Sequence, residues 1–227
     1  MNKVVKIFVF LVILSFPFSA ISHVEHYENL NRLEFDIYRN NKRIGTHIFL
    51  FKRIDDELIV ESKINFEIKK LGVVLYSYNV EGTERYKDGQ LVQFNSKTNQ
   101  NRKKKYVNIK LENNEYLIDG SSYKGKAPID YIIGTWWNHS IIKSKAQISA
   151  VSGRIIEQEV NFLGKETLNL NGKTYETLHF NFSSSDQKLA KDKKLNTDVW
   201  YDEKNLNWVK ATFKKKGDWE YKLLILE

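Results

Sequence analysis

Asp198 and Asp202 flank Trp200 and Tyr201 in the stretch TDVWYDEKNLNW. Four residues apart on a strand, their carboxylates share a face, and a carboxylate pair beside aromatic rings is the equipment of glycoside hydrolysis. Asp202 also precedes Lys204-Asn205, where an aspartate opens a turn by bonding to the backbone. A second group is aromatic: Tyr131, Trp136 and Trp137 lie close in sequence to Ile132, Ile133, Asn138 and His139. Such rings stack on sugars, line an acyl-chain pocket or fill a core. The candidate ligand-binding set is therefore Tyr131, Ile132, Ile133, Trp136 and Trp137, with His139, Asp198 and Asp202 as secondary polar candidates.

Other chemistries lack their residues. His23, His26, His47, His139 and His179 form no i, i+4 helical pair or loop cluster, so no metal site is expected among them. One special case is His23, which would become an N-terminal residue after cleavage behind Ser22 and could then chelate copper with its amine and imidazole; a loose chain end is the plain alternative. Neither Gly-x-Ser-x-Gly nor a phosphate-cradling glycine loop occurs. There is no cysteine, hence no disulfide, thiolate ligand or lipidated cysteine. No cofactor is implied, and a non-enzymatic role is favoured.

The elements that must hold these residues are strands. In the closing run Val199 and Tyr201, then Val209, Ala211 and Phe213, then Trp219, Tyr221, Leu223 and Ile225 alternate with polar residues, as side chains on a strand do. Earlier, Leu58, Val60, Ile64, Phe66 and Ile68 share one parity, and Gly45, His47, Phe49 and Phe51 another. Asn40-Asn41, Leu71-Gly72, Asp88-Gly89, Asn113-Asn114 and Asn171-Gly172 supply tight reversals. Gly45, inside a strand, predicts a bend or a close approach by another backbone. Ile129, Ile132, Ile133, Trp136 and Ser140 recur near the 3.6 period behind Pro128, predicting one short helix around 128–141 that lies across the sheet as a lid. The expected fold is mainly β, a strongly curled antiparallel sheet forming a barrel or half-barrel.

The first 22 residues stand apart. Lys3 and Lys6 precede an apolar run from Ile7 to Phe16, and Ala20-Ile21-Ser22 is a small-x-small cleavage pattern, so a signal peptide over 1–22 and a single antiparallel β domain over 23–227 are expected, with the product periplasmic or secreted. Of 36 Lys and Arg, two fall in that leader; against 28 Asp and Glu the remainder carries +6. Arg102, Lys103, Lys104 and Lys105 form one basic run, suited to an anionic membrane surface or an envelope protein, or simply to a solvated edge. No basic helix or basic-aromatic stripe is present, so nucleic acid is not an expected partner.

RIGTHIF at 43–49, Tyr76-x-Tyr78, Glu84-Arg85-Tyr86, Asp88-Gly89-x-Leu91, TWWNHS at 135–140 and DVWYDEKNLNWVKATF at 198–213 together resemble an uncharacterised family of exported bacterial proteins, a domain of unknown function. The resemblance implies an architecture similar to periplasmic carriers such as the lipoprotein-localisation factor, and it transfers no catalytic residue. Three readings follow: a carrier for a hydrophobic small molecule or lipid, a structural or interaction protein of the envelope, and a carbohydrate-active enzyme.

Overall fold

The structure, a computed structural model, describes residue 27 and residues 29–227. The expected signal peptide, its cleavage point at Ser22, and His23 and His26 lie outside the described residues. In chain order the strands are β1 (Arg32–Arg39), β2 (Lys42–Ile54), β3 (Glu57–Lys70), β4 (Val73–Lys87), β5 (Gln90–Gln100), β6 (Lys103–Glu112), β7 (Glu115–Gly120), β8 (Lys124–Pro128), β9 (Ile132–Ile133), β10 (Ala146–Ile148), β11 (Ile155–Leu170), β12 (Lys173–Ser184), β13 (Asn196–Asp202), β14 (Trp208–Lys214) and β15 (Asp218–Leu226). They make one sheet in the order β8-β7-β6-β5-β4-β3-β2-β1-β15-β14-β13-β12-β11-β10-β9. Every neighbouring pair is antiparallel except β9 with β10.

Tight turns generate this order. Seven two-residue turns join consecutive strands among the described residues, and six of them begin with Asn or Asp at positive φ: Asn40, Asp55, Asp88, Asn101, Asn113 and Asn171. These side chains tolerate the left-handed region that the turn requires. The seventh begins with Leu71 at φ 50.

Two expectations are corrected. The sheet does not form the strongly curled, closed barrel or half-barrel: its terminal strands β8 and β9 do not pair with each other. Its buried face is instead filled by the connection from β8 to β11. That connection is not the expected helix over 128–141 either. Ile132 and Ile133 form β9, pairing in parallel with Gln147 and Ile148, and only His139–Lys143 winds into a single 3-10 turn. An apolar spacing near 3.6 also suits an irregular strap pressed along one face of a sheet, and no run of backbone bonds there sustains an α-helix.

One core runs along that face. Leu33, Phe35, Ile37, Phe49, Phe94, Val199, Trp208 and Ala211 are each fully buried in it. A bulge between Trp200 and Tyr201 pairs Tyr201 with Trp208 and lets Trp208 stack on Phe35 at 3.8 Å between centroids. Gly45 meets the expected close approach: a Cβ there would lie 2.1 Å from the Asn65 carbonyl oxygen and 2.4 Å from the Phe66 Cβ. Its bareness lets the Phe66 ring reach Trp219, centroid to centroid 5.2 Å.

Gly45→Ala should therefore lower stability by about 3 kcal/mol in urea titration, because backbone rather than a flexible side chain must move. Leu71→Asn should raise it by about 1 kcal/mol, since asparagine relieves the left-handed penalty at that turn.

Candidate functional site

β4 places Glu84 on the same side as Val80 and Tyr86, and all three are buried, Glu84 to 1 % exposure. A buried carboxylate must be hydrogen-bonded. Here Tyr86 Oη donates to Oε2 at 2.5 Å, while Trp137 Nε1 and Thr135 Oγ1 donate to Oε1 at 2.9 and 3.0 Å. Burial pushes the Glu84 carboxyl above its ordinary range; these three bonds oppose that without cancelling it.

Those bonds seat the strap. Trp137 is completely buried among Phe51, Tyr27 and Tyr86, with centroids at 5.2, 5.3 and 5.7 Å. Its carbonyl accepts from Tyr27 Oη at 2.9 Å, and that hydroxyl also meets His139 Nδ1 at 3.1 Å. Asn138 caps the 3-10 turn through Ser140 N at 3.0 Å, and Gln158 Nε2 donates to the Ile141 and Ser144 carbonyls at 2.9 and 3.0 Å. Of the candidates in this stretch, Ile133, Trp137 and His139 are thus core residues, and Tyr131 and Ile132 are half-buried against the core.

Trp136 turns the other way. Its φ of 62 reverses the side chain relative to its neighbours, and its carbonyl accepts from Tyr201 Oη at 2.9 Å. The indole contacts Trp208, Tyr221 and Phe213 at 5.4, 5.9 and 6.4 Å, while its Nε1 is buried without a partner among the described residues. β4 and β13 lie six places apart in the sheet, yet both reach this strap.

Around Trp136 an aromatic face continues toward the end of the sheet formed by the β1–β2, β3–β4 and β14–β15 turns. Phe66 stacks on Tyr78 at 4.8 Å and lies 6.1 Å from Tyr76; Phe213 stacks on Trp219 at 5.6 Å. Tyr76, Tyr78, Trp136, Phe213 and Trp219 are only half-buried. Beneath them His47 is fully enclosed, 4.1 Å from Phe49 and 6.0 Å from both Trp208 and Tyr221, and its Nδ1 is unpartnered among the described residues. Burial pushes its imidazole down to about 3. The face is apolar, with Trp136 Nε1 and His47 Nδ1 left without a partner among the described residues.

The remaining candidates lie elsewhere. Asp198 and Asp202 do share a face, the outer one, as does Trp200, but at ~3.3 Å per residue they stand about 13 Å apart. That exceeds the ~5–9.5 Å of glycosidase pairs. Asp202 Oδ1 accepts from Lys204 N at 3.2 Å in the turn, and Asp198 Oδ1 accepts from Asn181 Nδ2 at 2.9 Å. His179 lies near Asp198, its ring stacked on Trp200 at 4.0 Å and its Nδ1 2.7 Å from Glu166 Oε1. Burial would raise Glu166, but bonds from Trp200 and His179 outweigh it and hold the carboxyl below its ordinary value. Among the described residues no group of three His, Asp or Glu is placed to hold a metal ion. Arg102, Lys103 and Lys104 are exposed at the β5–β6 turn, and Lys105 is half-buried beside Gln100.

Sequence reasoning missed Glu84 as an anchor, and with it Tyr76, Tyr78, Phe213 and Trp219 as one face. The parity of Val80, Glu84 and Tyr86 was the available signal for the first. The second depends on β3 and β4 meeting β14 and β15 across the fold, which a linear pattern does not display.

A family model described as a domain of unknown function, DUF6134, matches residues 35–224. No curated protein matches the sequence. Among solved structures, the β-barrel-like protein of domain of unknown function DUF1849 from Brucella abortus aligns with a TM-score of 0.61 at 10 % identity, over 87 % of this chain and 97 % of that one. A Bacteroides fragilis protein described as exported, with a YmcC-like fold, aligns with a TM-score of 0.37 at 9 % identity over 86 % and 94 %. The first likeness concerns the fold alone, and the second is too distant to carry an argument.

Glu84 and His47 give the fold opposite pH dependences. A carboxyl raised above its unfolded value of about 4.3 stabilises the fold below that pH, and the contribution is lost as pH rises. An imidazole lowered to about 3 stabilises the fold above its unfolded value near 6.5 and the contribution is lost as pH falls. Glu84→Gln, whose amide can donate to Tyr86 Oη, should flatten the alkaline side of a stability-against-pH curve measured by thermal unfolding. His47→Phe should flatten the acid side.

Proposed function

The chain belongs to the DUF6134 family, a domain of unknown function, and from that premise we propose that it is an exported, non-enzymatic binding or carrier protein for a hydrophobic ligand such as an acyl chain, working in the periplasm or outside the cell. The observation that carries this reading is the half-buried aromatic face of Tyr76, Tyr78, Trp136, Phe213 and Trp219. Half-buried rings are ordinary singly, but a contiguous apolar patch is a feature of ligand grooves and interaction sites. The strap supports the reading by spending Thr135 and Trp137 on Glu84 while holding Trp136 in a left-handed backbone turned toward that face. Positive φ is shared by thirteen non-glycine residues among the described ones, and Trp136 is the one aromatic residue of that set.

Export rests on the leader pattern at 1–22, and no helix among the described residues is long and apolar enough to cross a membrane. The carbohydrate-hydrolase reading loses its ground, because Asp198 and Asp202 are too far apart to work on one bond.

Binding of a fluorescent fatty acid, together with native mass spectrometry of protein from its producing cells, tests the proposal. Trp136→Ala and Trp219→Ala should each weaken the probe by about tenfold, the scale of one removed aromatic contact, with circular dichroism unchanged. Asp198→Asn should leave binding alone. Ligand-free protein that takes up no fatty acid would overturn the carrier reading.

A further inference from the structure

β3 and β4 run past the rest of the sheet. β2 pairs with β3 only as far as Phe66, and β5 pairs with β4 only from Tyr78 onward. Residues 68–76 therefore have ladder pairs only across the hairpin, Ile68 with Tyr76, Lys69 with Val74 and Lys70 with Val73, and Gln100 of β5 reaches only the Tyr76 hydroxyl at its base. At ~3.3 Å per residue this two-stranded arm projects roughly 15 Å beyond Phe66.

Its tip is greasy where every other such turn is polar. Leu71 is 95 % exposed, and Val73, Val74 and Leu75 are 61, 45 and 54 % exposed. Leucine holds the left-handed position that Asn or Asp fills in the six other two-residue turns, so a poor turn former sits where solvent contact is greatest. Neither folding nor solubility accounts for that choice.

The charges around the arm say what it meets. Antiparallel order brings the β1–β2, β5–β6 and β14–β15 turns to the same end of the sheet, with Asn101 N donating to Ser77 O at the base of the arm. Lys42, Lys70, Arg102, Lys103, Lys104 and Lys216 lie there with no ion-pair partner among the described residues. The turns at the opposite end are mixed: Asp56 pairs with Lys87, Glu57 with Arg85 and Glu203 with Lys165, while Asp55 and Asp88 offset Lys173 and Lys204, which have no ion-pair partner among the described residues.

We propose that the Leu71–Leu75 tip inserts shallowly into an anionic lipid surface, with the surrounding basic turns held against the headgroups. An apolar wedge ringed by unpaired cations matches a bilayer boundary, where apolar side chains sink a few ångströms below a layer of negative charge. The arm lies at the same end as the aromatic face, but docking goes beyond the ligand reading and does not depend on it.

Vesicle flotation of the purified protein tests the proposal. The protein should float with vesicles containing phosphatidylglycerol, float less as salt is raised, and stay unbound with phosphatidylcholine alone. Leu71→Asn, the substitution expected to strengthen the fold, should weaken vesicle binding by about tenfold, the scale of one unburied leucine, and a Lys103→Glu, Lys104→Glu double variant should weaken it further. Absence of flotation, or flotation indifferent to Leu71→Asn, would overturn the proposal. Fatty-acid binding in solution should survive Leu71→Asn, so docking and ligand binding fail separately.

Discussion

The strap between β8 and β11 is seated on the one buried carboxylate among the described residues. Glu84 sits on an inward-facing position of a long strand and would be costly there without partners. Tyr86 on the same strand answers one carboxylate oxygen, and Thr135 and Trp137, far along the chain, answer the other, so the price of burying it is fully met only when the strap is in place. Everything between β8 and β11 follows from that seat. With the residues on either side committed to β4, Trp136 is left facing β14 and β15, and its carbonyl is caught by Tyr201.

This dependence explains the shape of the sheet. A sheet of such long strands removes its edges best by closing, yet closure would leave a wide interior to be filled. Here irregular backbone does the filling, with Gln158, Ser144 and Asn138 answering its polar groups so that it can lie on an apolar surface. The sheet stays open, and rings at one end remain half-covered.

Much of this architecture could be read from residues alone. The two-residue periodicity from Leu58 to Ile68 and from Val199 to Leu223 marked the strands, and Asn or Asp before a residue that tolerates positive φ marked their reversals. Gly45 announced a close neighbour. What could not be read was whatever depends on distant segments meeting: the apolar spacing at 129–136 fits a helix as well as a strap, and the contacts that favour the strap, Glu84 with Thr135 and Trp137 and β9 with β10, join residues far apart in the chain. Asp198 and Asp202 looked alike because parity reports a shared face but not a shared site.

The two margins of the open sheet have a consequence for how the molecule lives among copies of itself. β8 reads Lys-Gly-Lys-Ala-Pro, with exposed Lys124 and Lys126, a glycine at φ 156 and a proline that lacks an amide proton; β9 is two residues long. Neither is long, but β10 covers β11 only from Ile155 to Glu157, so the outer edge of β11 beyond Gln158 runs unpaired beside exposed Phe162 and Leu163. At high concentration that margin of β11, rather than the guarded ends of the sheet, is where a strand from a neighbouring copy would be added.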